Sequence, residues 1–207
     1  MRGVAFLQGV LAALLCAAVL VARAEEIEVR NVQLLPVEEG FVLNADFAFD
    51  FAPRLAEMLA NGVPLYFVVE FELTRPRWYW FDEKAAAKRI QLRLSYHALS
   101  RHYRLSTGVL QQNYATLEEA LSVLRRVRNW QVVERSAVLA DANYDAAVRM
   151  RLDVTLLPKP FQLSAITSRE LNLESVWRRF AFRPSAAVVP PPAVPAEARE
   201  PREAETK

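Results

Sequence analysis

The chain has 207 residues, 53% hydrophobic and 24% charged, with 26 basic and 24 acidic side chains. The two excess positive charges, Arg2 and Arg23, lie in the first 24 residues, so the remainder is electrically balanced; it lacks the basic excess of a nucleic-acid binder or of a protein held by anionic lipid. The sole cysteine, Cys16, lies in the same stretch, which leaves the rest without a disulfide or a thiolate metal site.

Arg2 precedes an apolar run, Val4 to Val21, broken only by Gln8 and Gly9. Ala22-Arg23-Ala24 then presents the small-x-small pattern of a signal-peptidase site. Residues 1–24 are therefore predicted to be a signal peptide, and the protein to be exported to the periplasm. The alternative is an uncleaved inner-membrane anchor over residues 4–21, which are just long enough to cross a bilayer. Lipid attachment at Cys16 is disfavoured by Leu15, which stands where a small residue is expected.

Residues 25–183 carry a period of two. Phe41, Leu43, Ala45, Phe47, Phe49 and Phe51 alternate with a more polar set. Leu65, Phe67, Val69, Phe71 and Leu73 do so against Glu70 and Glu72. Ile90, Leu92, Leu94 and Tyr96 form a third case, and Tyr144, Ala146, Val148, Met150, Leu152 and Val154 a fourth. Successive strand side chains point to opposite faces, so each run predicts a strand with one buried face, as in antiparallel sheets.

Shorter strands are expected over Ile27–Leu35, Arg101–Ser106, Val109–Tyr114 and Trp130–Val133. In the first, the apolar phase slips between Val29 and Val32, which predicts a bulge near Arg30-Asn31. Pro53 opens a short helix burying Leu55, Met58 and Leu59, closed by Asn61-Gly62. A second helix starts at the capping box Thr116-x-x-Glu119 and buries Leu117, Ala120, Leu121, Leu124 and Val127. Arg125, Arg126 and Arg128 are expected in its last turn, where positive charge suits the helix dipole. About eight strands and two short helices predict a mainly β fold, an antiparallel immunoglobulin-like β-sandwich. Ser168–Phe182 reads equally as a strand or a helix. Residues 184–207, rich in Pro, Ala and Glu, are expected to form a disordered tail; a polyproline ligand is the alternative.

No catalytic signature emerges. Gly40, Gly62 and Gly108 are isolated, so no phosphate-cradling loop is available, and there is no nucleophile elbow. His97 and His102 would point to opposite faces of one continuous strand; a hairpin at Leu99 would bring them closer. No carboxylate lies at ligand spacing beside them, so neither a metal nor another cofactor is expected. Glu70 and Glu72 share a strand face at a separation met by chance in many sheets, and solvation explains them.

The least ordinary stretch is Arg75-Pro76-Arg77-Trp78-Tyr79-Trp80-Phe81. Exposed Trp or Tyr beside Arg suits recognition of a partner. The plain alternative is a strand in mid-sheet that shares its rings between the core and the long side chains above. Arg75, Arg77, Trp78, Trp80, His97 and Arg101 are the candidate contact residues. Charge is also segregated. Glu25–Thr74 holds ten acidic and two basic residues, and Arg75–Arg104 eight basic and two acidic. Cross-strand pairing between these blocks is expected; a basic block left unpaired would face an acidic partner.

Three strings, Arg77–Glu83, Leu94–Ser106 and Leu157–Gln162, together with Thr167-Ser168-Arg169, resemble a family of exported proteobacterial proteins, domain-of-unknown-function family 4390. The resemblance covers about Glu25 to Phe182. It brings no catalytic residues. It implies a Gram-negative envelope and a gene neighbourhood with a membrane sensor kinase of the nitrogen-regulation type. The expected function is a non-catalytic periplasmic interaction domain with an envelope protein as partner. The alternatives are a carrier holding a lipid or sugar between the sheets and, last, an envelope hydrolase.

Overall fold

The computed structural model describes residues 26–79, 82–167 and 171–187. The leader, Trp80 and Phe81, residues 168–170 and residues 188–207 of the expected tail lie outside the described residues.

Strand β1 (Glu28–Val37) turns into β2 (Gly40–Ala48), which is followed by helix α1 (Pro53–Ala60). Strands β3 (Leu65–Arg75), β4 (Glu83–His97), β5 (His102–Thr107) and β6 (Leu110–Tyr114) then run as a meander. Helix α2 (Leu117–Leu124), β7 (Arg126–Glu134), β8 (Tyr144–Leu152), α3 (Lys159–Thr167), β9 (Arg178–Phe182) and the single turn α4 (Pro184–Ala187) complete the described chain. The strands form two antiparallel sheets, ordered β1-β2-β7 and β6-β5-β4-β3-β8-β9.

The alternating runs set the core. Leu65, Phe67, Val69, Phe71 and Leu73 on β3, and Ala146, Val148 and Met150 on β8, are fully buried and meet Phe41, Leu43, Ala45 and Phe47 of β2. Phe49 stacks on Phe67 at 5.8 Å, and Phe41 meets Phe182 edge-on at 5.0 Å, which ties the two layers together. Leu55 and Leu59 of α1, and Leu121 and Leu124 of α2, belong to the same core. The architecture is a mainly β sandwich. Its strand order departs from that of immunoglobulin domains, where no sheet contains four consecutive strands; here β3 to β6 stay in one sheet.

Several local expectations hold in atomic detail. The pairing of β1 with β2 shifts between Arg30 and Gln33, and Asn31 takes a φ of 30°. Thr116 accepts from the Glu119 N–H while the Glu119 carboxylate accepts from the Thr116 N–H. Leu55, Met58 and Leu59 are buried, and Gly62 takes the left-handed φ of 81° beyond the helix end.

Others are corrected. The chain leaves α2 at Leu124; Arg126 and Arg128 lie in β7, whose backbone pairs with β2, so only Arg125 remains at the helix end. Its guanidinium bonds the Phe49 carbonyl and Glu118, each at 3.0 Å, and lies 5.2 Å from the Phe49 ring. The strand expected to run to Phe51 stops at Ala48 ahead of Pro53. Val42 and Val68, which period two puts on the faces opposite Phe41 and Phe67, are buried as well. Helix α3 was not foreseen; Pro160 near its start is the sequence signal for it. The ambiguous stretch contains a bridge at Glu174 to Arg151 and then β9. Pro184 is buried and the Ser185 N–H reaches the Ala140 carbonyl at 3.0 Å, so the fold continues past Arg183.

Candidate functional site

Antiparallel pairing of β3 with β4 runs from Leu65↔Leu94 to Arg75↔Glu83. Pro76 lacks the N–H that would continue the ladder, so the chain turns there. Arg75 and Arg77 both bond the Glu83 carboxylate, the former at 2.5 Å, and the Arg77 N–H points to Asp82 at 3.4 Å. The hydrogen bond from Arg77 is the largest influence on Glu83; with the nearby Arg75 charge it outweighs desolvation and holds the carboxyl below its usual range. This clasp keeps its charges in mildly acidic surroundings.

Beyond the clasp, Trp78 is 93% exposed and Tyr79 68%, with their rings edge-to-face at 5.0 Å. The alternative of a strand buried in mid-sheet does not apply to these two residues, because they occupy the turn between β3 and β4. Two adjacent aromatic rings thus stand in solvent beside a base held by two guanidiniums, an exposed amphipathic area.

The six candidate contact residues do not form one patch. Arg75, Arg77 and Trp78 gather at the start of β4, whereas His97 ends that strand and Arg101 lies in the turn beyond it. Fifteen residues separate the groups by about 45 Å. Trp80 lies outside the described residues. Tyr79 was missed as a separate contact; its place in an unbroken aromatic run was the available signal.

The β4–β5 connection is a hairpin, which makes His97 and His102 direct cross-strand partners on one face. His97 Nδ1 lies 3.1 Å from Ser100 Oγ, and His102 Nδ1 contacts the Ser100 carbonyl. Among the described residues, no three His, Cys, Asp or Glu side chains gather as a metal set.

Glu70 and Glu72 are not merely solvated. Glu72 pairs with Lys84 at 2.9 Å, the expected link between acidic and basic blocks. Glu70 instead turns to β8, bonding Arg149 at 2.5 Å and lying 3.6 Å from Arg151. Arg149 also pairs with Glu174 at 2.7 Å and lies over Trp177 at 4.6 Å.

A surface groove of about 940 Å³ runs between β1, β2 and α2, where Glu28, Asp46 and Glu118 face Arg30, Arg125 and Arg126. Burial raises the Asp46 carboxyl, but hydrogen bonds from Arg128 and Asn31 and the charges of Arg128 and Arg126 together pull it below the ordinary value. A carboxylic acid catalyst needs the opposite shift.

No curated protein and no solved structure matches the chain. A family model described as a domain of unknown function, DUF4390, matches residues 24–181. The match spans the sandwich from ahead of β1 to the penultimate residue of β9, and the chain belongs to that family.

Proposed function

We propose that the protein is a non-catalytic interaction domain of the periplasm that engages an envelope protein through the tip of the β3–β4 hairpin. The observation that carries this reading is the exposure of Trp78 and Tyr79 on a clasp of Arg75, Arg77 and Glu83. Exposed Trp and Tyr supply large contact area with few torsions to freeze, and such residues dominate binding energy at protein interfaces. The downward shift of Asp46 speaks against a carboxylate acid in the adjoining groove. Phe49, Phe67, Phe71 and Met150 fill the space between the sheets, which favours the interaction reading over the lipid or sugar carrier. His97 and Arg101, at the far end of the sheet, serve a separate contact.

The test is in-cell photo-crosslinking with the full chain. A photoreactive phenylalanine replaces Trp78 in one version and Leu99, which is 94% exposed at the opposite end, in another. A discrete protein adduct from position 78 that position 99 does not give is expected, and Trp78→Ala/Tyr79→Ala should weaken binding to that protein at least about tenfold. Identical adducts from both positions, or none from position 78, would overturn the reading. Fractionation of the tagged chain tests the compartment, and recovery in the cytoplasm would refute export.

A further inference from the structure

The register shows what the outer face of the six-stranded sheet carries. Across β4 and β5, Arg93 stands opposite Ser106 and Ser95 opposite Arg104. Leu94 and Leu105, the pair between them, point to the core, so these four residues share the outward face. Two arginines and two serines therefore occupy alternate corners of a quadrilateral about 5–7 Å on a side. On one flank β6 adds Asn113 opposite Arg104 and Gln111 opposite Ser106. On the other, β3 adds Tyr66 opposite Arg93 and Val68 opposite Gln91.

None of the four corner residues faces a carboxylate across the strands; Asp153, whose N–H donates to the Tyr66 carbonyl at 2.7 Å, is turned to Arg151 and Thr155. The ion pairs of the large sheet use Arg75, Arg77, Lys84, Arg149 and Arg151, and neither Arg93 nor Arg104 takes part. Glu70, on the same face of β3 opposite Arg89, is drawn to β8 by Arg149. Both guanidiniums are nevertheless held. Arg104 Nε donates to Asn113 Oδ1 at 3.2 Å, and Arg93 lies 5.8 Å from the Tyr66 ring centre. Diagonal like charges without a counter-ion disfavour one another. A bound anion would relieve that cost.

We propose that Arg93, Ser95, Arg104 and Ser106 form a binding site for a phosphate-class oxyanion. Guanidinium forks match the paired oxygens of a tetrahedral phosphoryl group, and two guanidiniums on a diagonal approach it from opposite sides. The two hydroxyls supply further donors. The charge balance beyond residue 24 is no obstacle, because the charge that matters is local, and Arg93 and Arg104 take part in no ion pair among the described residues.

Two sources offer this chemistry, free phosphate and a lipid headgroup. The full chain is titrated by calorimetry with inorganic phosphate and pyrophosphate, and separately with phosphatidylcholine vesicles lacking or containing phosphatidylglycerol. Binding in either arm is expected, and which arm responds identifies the source. Arg93→Gln/Arg104→Gln should weaken it at least tenfold, Ser95→Ala and Ser106→Ala severalfold each, and Arg89→Gln less than twofold. No binding in either arm, or an equal loss from Arg89→Gln, would overturn the site. Thermal melts check that each variant folds, and the serine variants carry the test if the double arginine variant does not. Trp78→Ala/Tyr79→Ala should leave anion binding unchanged, which separates this site from the hairpin tip.

Discussion

Asp46 shows how one carboxylate ties together a bulge and two strands. It sits on β2, receives Asn31 from the bulge of β1 at 3.2 Å, and is bonded by Arg128 of β7. Because its folded pKa lies below the ordinary Asp value of about 3.9, the stability it contributes is present above that pH and lost as pH falls through the lower folded value. In urea titrations from acid to neutral pH, Asp46→Asn should differ most from wild type near neutrality, and the gap should close below about pH 4. Gly40 makes a second point at the same scale. An added Cβ would stand 2.0 Å from the Val133 carbonyl oxygen and 2.9 Å from the Arg135 nitrogen, both backbone atoms that cannot turn aside. Gly40→Ala should cost about 3 kcal/mol in equilibrium unfolding, the upper end for overpacking. In the sequence Gly40 is only an isolated glycine; the close approach of β7 becomes visible only once the strands are paired.

Elements divide by how local their determinants are. Helix α2 begins at a box of two reciprocal bonds three residues apart, and four residues suffice to recognise it. Thr116→Ala removes the cap and should lower stability by about 1 kcal/mol, measured by chemical denaturation. The end of α2 was less legible, since Arg125, Arg126 and Arg128 suit a helix terminus as well as a strand; pairing with β2 decided for the strand. Sheet electrostatics follow the same logic. The charge blocks predicted that β3 and β4 attract, and Glu72 with Lys84 does so. No local pattern shows that Glu70 prefers β8, because its partners Arg149 and Arg151 lie about 80 residues away. Glu70→Gln leaves both guanidiniums without their shared carboxylate and should cost about 1.5–3 kcal/mol by urea unfolding, the range for hydrogen bonds to charged groups.

At the scale of the molecule, one core unites both sheets and two helices, and Phe67 stands at its centre, fully buried against Phe49. Phe67→Ala should cost about 3–5 kcal/mol, read as a lowered midpoint of unfolding. The core-facing residues of β2, β3 and β8 follow from periodicity, because burial on one face of a strand imprints period two on the sequence itself. The candidate site was legible only in part. The aromatic and arginine residues of the tip stood out by composition, but exposure depends on where the ladder stops. His97 and Arg101 lie apart from them because the fifteen residues of β4 intervene. The quadrilateral of Arg93, Ser95, Arg104 and Ser106 has no signature in spacing, since its corners come from two strands across a turn. The sequence by itself determined the phases of the long strands, the helix start, the bulge and one core-facing side of β2, β3 and β8, all of which rest on sterics and polarity within a few neighbouring positions. Only the tertiary structure decided which strands pair, which charges remain uncompensated and which rings stay in water, because these depend on contacts between residues far apart along the chain.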